Sequence, residues 1–211
     1  MATVATAPKN ERKLVPEGTH VARLYKFMNL GTRFQMFEGR KKDFPDTLIT
    51  LTFEVPNEID KFTVTKEDGT TEEVEKPLVI TREFTLSMGP KSNLRPFVNG
   101  ILGTNLGDDE AYSFDLENLV DKYCLISVIH KPSLDGSKTY AKVVSASPLM
   151  KGQIPPPPFN KNQVFNVNTA SKEDIDALPE FLKEKITVSD EYRKRFGTED
   201  SPNLEEEDVP F

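Results

Sequence analysis

The chain of 211 residues contains a single cysteine, Cys124. That excludes a disulfide framework within the chain and suits a reducing compartment. Its two histidines, His20 and His130, are far apart in sequence. No cluster of His, Cys, Asp or Glu has the spacing of a zinc or two-metal site. No Gly-x-x-x-x-Gly-Lys-Ser/Thr stretch is present to cradle phosphates. No apolar run approaches the length of a transmembrane helix, and the first residues lack the apolar centre of a secretory signal. The absences point to a soluble cytoplasmic protein without metal or cofactor. Cys124 lies in an apolar strand-like segment and reads as core. Asp108, Asp109 and Glu110 fall in a turn-like polar stretch and read as water-facing. No catalytic residue is expected, and the chain reads as a non-enzyme.

With 36% hydrophobic and 29% charged residues, the chain can bury one ordinary core and still carry extra segments. The net charge of −7 is unevenly placed. Residues 198–211 hold Glu199, Asp200, Glu205, Glu206, Glu207 and Asp208 and no base. The remainder is close to neutral, which leaves room for a basic groove.

Along the chain, residues 1–17 read as a loose arm. Residues 20–28 place Ala22, Leu24 and Met28 on one parity and Arg23, Tyr25 and Phe27 on the other, which predicts a bent strand shared between two sheets. Residues 31–44 lack periodicity and read as a loop. Residues 48–55 alternate Ile49, Leu51, Phe53 and Val55 with Thr50, Thr52 and Glu54, predicting a strand with one buried and one wet face. Short strands at 61–65 and 71–74 flank Asp68-Gly69, a hairpin signal, and predict an inserted ribbon within 57–77. A third main strand covers 78–88.

The period then changes. Leu94, Phe97, Val98, Ile101 and Leu102 recur at helical spacing, with Ser92 as cap and Gly103 as stop. A helical turn at 116–120 and strands at 123–130 and 140–147 follow. Three strands, a helix and two strands predict a mainly β oligonucleotide-binding (OB) fold, a five-stranded barrel with its helix between strands three and four. Another small barrel of the SH3 type is the competing architecture. Pro155–Pro158 predicts a stiff spacer. Beyond it, Ser171 and Asp174 form a capping pattern, and Ile175, Leu178, Phe181, Leu182 and Ile186 line one helical face. The expected organisation is an arm (1–17), an OB domain (18–150), a proline-rich linker (151–170), a helical segment (171–197) and an acidic tail (198–211).

In residues 31–44, Arg33, Arg40, Lys41 and Lys42 interleave with Phe34, Phe37 and Phe44. Single-strand binding needs that mixture: cations to follow phosphates and rings on which unpaired bases stack. The loop between the first two strands borders the binding face of an OB fold. The alternative keeps the phenylalanines in the core and leaves the cations as ordinary surface. Tyr25, Lys61, Phe62, Arg82, Lys131 and Tyr140 are further candidates. Arg82 interrupts an apolar face, so it either meets ligand or is a buried, paired arginine.

The last nine residues, Asn-Leu-Glu-Glu-Glu-Asp-Val-Pro-Phe, join clustered acids to a terminal ring. Glu205, Glu206, Glu207, Asp208, Val209, Pro210 and Phe211 resemble the tail tip of bacterial and phage single-stranded DNA-binding proteins. The resemblance covers this tip and the plan of 18–147. It implies a protein that coats and protects single-stranded DNA in phage replication, recombination or repair. It further implies recruitment of a polymerase, helicase or recombinase through the tail, and host cytoplasm as the location. Homo-oligomer formation is left open. The other reading is a virion or replisome adaptor using an OB-like scaffold. Residues 167–179 resemble the first half of a helix–hairpin–helix motif. Glu180, Phe181 and Leu182 stand where that family has its phosphate-binding glycines, so no DNA contact is assigned there.

Overall fold

The computed structural model describes residues 13–37, 39–65, 70–133 and 135–197. Strands dominate. They are β1 (Gly18–Arg33), β2 (Met36–Phe37), β3 (Arg40–Lys41), β4 (Asp46–Thr65), β5 (Thr71–Thr85), β6 (Tyr123–Pro132), β7 (Thr139–Ser147) and β8 (Gln163–Asn166). The helices are α1 (Leu94–Leu102), α2 (Asp108–Ser113), α3 (Lys172–Asp176), α4 (Glu180–Thr187) and α5 (Asp190–Phe196), with a 3-10 turn at Leu116–Leu119. A six-stranded sheet runs in the order β5-β4-β1-β6-β7, and β8 pairs with β1. β1 lies antiparallel to β6, from Gly18 opposite Val128 to Arg23 opposite Tyr123. β6 and β7 are antiparallel, with an irregularity between Ser127 and Val128.

The described residues fall into two compact units, one of residues 13–27 with Thr50–Val164 and the other of Met28–Ile49 with 165–197. In the first unit, Leu24, Phe53, Ile80, Phe84, Ile126 and Val143 face inward and are buried. α1 adds Leu94, Phe97, Val98 and Ile101, each stabilising by roughly 1.5–3 kcal/mol on burial. Phe97 meets Phe84 at 4.9 Å and Phe53 at 6.0 Å between ring centroids. Gly103 at φ 68° ends the helix, as its sequence predicts; the cap position is Asn93 and not the expected Ser92, although Ser92 Oγ accepts from Arg95 N at 3.2 Å. The first and last strands of the sheet path, β5 and β7, lie against each other. There Arg82 donates from Nη1 to the Val144 carbonyl at 2.8 Å.

In the second unit, Met28, Leu30, Leu48, Val167, Ala170, Ile175, Leu182 and Ile186 form the core. Ser171 caps α3: its Oγ accepts from Asp174 N at 3.1 Å, and its own N donates in return to Asp174 Oδ2 at 2.9 Å, as the capping pattern predicts. Phe181 departs from expectation: it is exposed, while Ile175, Leu182 and Ile186 are buried.

Several boundaries differ. The 31–44 segment is not wholly loop, because β1 continues to Arg33 and β2 pairs with β3. The ribbon is the outer part of two long strands, β4 and β5, rather than an insertion between separate ones. Pro56 and Pro77, just outside the expected strands at 48–55 and 78–88, lie inside β4 and β5. β5 ends the sheet order, where a missing N–H costs least. The Asp68-Gly69 turn lies outside the described residues. α2 replaces the expected acidic turn; its Glu110 side chain accepts from Gly107 N at 2.9 Å, and acids suit a helix start. β1 belongs to one sheet and not two. The wet face expected for β4 is also wrong, since Thr50, Thr52 and Glu54 are all buried.

Candidate functional site

A covered polar face explains that last correction. On β1, Arg23 is 1% exposed; on β4, Glu54 is 0% exposed. Arg23 Nε donates to Glu54 Oε1 at 2.7 Å, and Nη1 donates to Asp121 Oδ1 at 2.7 Å and Asn162 Oδ1 at 2.6 Å. Nη2 donates to the Asn160 carbonyl. Glu54 also accepts from Phe159 N at 3.1 Å and from Asn160 N and Nδ2 at 2.8 and 2.6 Å. Tyr123 donates its hydroxyl to the Pro156 carbonyl at 2.7 Å. Residues 156–162 are thus strapped to the first unit by a buried ion pair whose lone pairs and protons are satisfied, the condition under which such a pair is tolerated. Burial raises the Glu54 pKa, but the Arg23 bond and the Asn160 and Phe159 amides outweigh it and hold the carboxylate below its ordinary value. The signal was in the sequence: one charge of each sign stands mid-strand in two apolar runs.

Tyr25 is half-buried, and burial followed by the nearby Glu54 charge pushes its hydroxyl pKa up. Arg82 is half-buried. Its guanidinium lies 4.4 Å from the Phe84 ring centroid and 4.7 Å from that of Phe97. Burial lowers its pKa. On β4, Lys61 is exposed and Phe62 half-buried. Lys131 and Tyr140 stand directly opposite each other across β6 and β7. Tyr140 is 48% exposed, and Lys131, Lys138 and Lys142 are exposed around it. The adjoining loop is braced by Asp135, which accepts from Ser133 Oγ at 2.5 Å and from Ser137 N and Oγ at 3.1 and 2.8 Å. Those hydroxyl and amide bonds hold its carboxyl down to about 2.

The second unit holds Arg33, Phe34, Arg40, Lys42 and Phe44. Gly31 has φ +85°, and a Cβ there would lie 2.6 Å from both Glu191 Oε2 and Ser189 Cβ, so α5 requires glycine. Thr32 then donates to Glu191 from its N and Oγ1 at 2.6 and 2.7 Å. Arg33 Nη1 donates to the Lys185 carbonyl at 2.6 Å, as cations do near a helix end. Lys42 pairs with Asp46 at 2.5 Å. Two of the expected phosphate-binding cations therefore have structural partners, while Arg40 is exposed. Phe44 is 80% and Phe34 47% exposed, so neither ring is core. Phe37 and Lys41 pair with Arg40 and Met36 across the β2–β3 hairpin.

The tail residues Glu205, Glu206, Glu207, Asp208, Val209, Pro210 and Phe211 lie outside the described residues. Among the described residues, no three His, Cys, Asp or Glu side chains converge as around a metal ion. No described helix is long and apolar enough to cross a membrane. A scan against known families finds no matching family model, and a comparison with curated proteins finds no match.

Proposed function

We propose that the chain binds single-stranded DNA without chemistry and presents an acidic tail to replication or recombination proteins. The observation that carries this reading is the exposure of Phe44 and Phe34 beside Arg40 in one short segment. Exposed rings and cations in one segment are what base stacking and phosphate neutralisation require. The Tyr140–Lys131 pair in the other unit repeats the chemistry. The OB reading is supported by the strand order, by α1 between the third and fourth long strands, and by the approach of β5 to β7.

The test is titration of labelled single-stranded DNA with the full chain and with Phe34→Ala, Phe44→Ala and Arg40→Ala. Each ring substitution is expected to cost about 1–3 kcal/mol in binding with the fold intact. Arg40→Ala flattens the log K against log salt slope by about 0.7. Folded variants that bind like the parent chain would contradict the reading.

A further inference from the structure

We infer that Phe159, with Lys151 and Lys161, forms a base-stacking surface on the strap, taking the place of the covered outer face of β4. The inference rests on the proposed single-strand binding and deepens it. In an OB fold the second and third strands supply the ligand face; on that reading they are β4 and β5. Here the outward-facing Thr50, Thr52 and Glu54 of β4 are buried, and Glu54 is bonded to the amides of Phe159 and Asn160. A guest cannot lie on β4 at Glu54 without displacing residues 159–160. A guest that left the strap in place would meet the strap's own surface.

That surface has the composition such a guest needs. The Phe159 ring is 51% exposed, although its own N–H is anchored at 3.1 Å to the buried Glu54. A ring held by its backbone and left half in water loses little entropy when a base stacks on it. Lys151 and Lys161 are exposed on either side in sequence. Residues 148–171 contain no Asp or Glu, in a chain whose net charge is −7. The charge beneath is largely answered, since Arg23 stands between Glu54 and Asp121. Asp121 is the acid that remains at the surface, so the affinity here comes from the ring and the two lysines.

The chain has no tryptophan, so Phe159→Trp places a lone indole at the site. In the full chain its emission is expected to be quenched on titration with a thymidine oligonucleotide at low salt. Phe159→Ala is expected to weaken binding about tenfold, within the range that a stacked base supplies. Lys161→Ala lowers the salt slope by about 0.7. A parent chain that binds no oligonucleotide would bring down the functional reading itself. A parent chain that binds, with the indole unquenched or with Phe159→Ala at parental affinity, would overturn this inference alone.

Discussion

Arg23 and Glu54 show how far one residue pair can depart from its strand pattern. The alternation in β4 is real, yet its polar parity is buried, because a segment more than a hundred residues later supplies the amides that Glu54 accepts. Nothing local in the sequence announces that partner. Removing one member of a buried pair strands the other, which costs about 3–5 kcal/mol. Arg23→Ala is therefore expected to lower stability by that amount in denaturant unfolding and to loosen 156–162. Retention of parental stability would remove the strap's anchor from the account.

The same carboxylates fix a pH dependence. Glu54 is pushed up by burial and pulled down further by Arg23 and two amides. Glu191 is likewise raised by burial and lowered more by the Thr32 amide and hydroxyl. Both pKa values end below the ordinary carboxylate value, about 4.3 for an unfolded Glu. Their stabilisation is therefore fully present above that value and is lost as pH falls through the depressed folded values. Thermal unfolding followed from pH 7 to pH 3 should show the loss beginning below about pH 4. Glu191→Gln should give a shallower fall. At the residue scale, the lack of periodicity in 31–44 pointed to exposed rings, and Phe34 and Phe44 are exposed. The pairings of Arg33 with Lys185 and of Arg82 with Val144 were not, since both join residues far apart in sequence.

At the scale of elements, local periodicity identified α1 with its stop, though it set the cap at Ser92 where the structure has Asn93, and the long strands around it. It missed β8 and α2. β8 is only four residues long, and its pairing with β1 is non-local. α2 opens on three acids, which resemble a solvated turn. The expected strands stopped beside Pro56 and Pro77, which lie inside β4 and β5. Gly100 shows a close approach that periodicity cannot reveal. A Cβ built there would lie 2.1 Å from the Ala146 carbonyl, so α1 rests on the backbone of β7 at a position where only glycine fits. Gly100→Ala should push the helix off the strand and cost about 1–3 kcal/mol, the range for overpacking. A melting temperature equal to the parent's would contradict that contact.

For the whole molecule, the division of residues was the least legible feature. Met28, Leu30 and Leu48 share a core with Ile175, Leu182 and Ile186. Such partners come from distant stretches, and single-sequence pattern carries no information about which apolar faces meet. The acidic tail, by contrast, is plain in the sequence. If it competes with DNA for cationic surface, deleting 204–211 should tighten single-strand binding at low salt. The gain should shrink at high salt as screening removes the competition. Weaker binding after deletion would place the tail within the binding surface instead.

Single-strand binding itself is tested most directly by titrating the full chain against labelled single-stranded and duplex DNA of equal length over a range of salt. Preference for the single strand is expected, with a log K against log salt slope of about −0.7 for each phosphate neutralised. Equal affinity for both forms, or no binding to either at low salt, would contradict it.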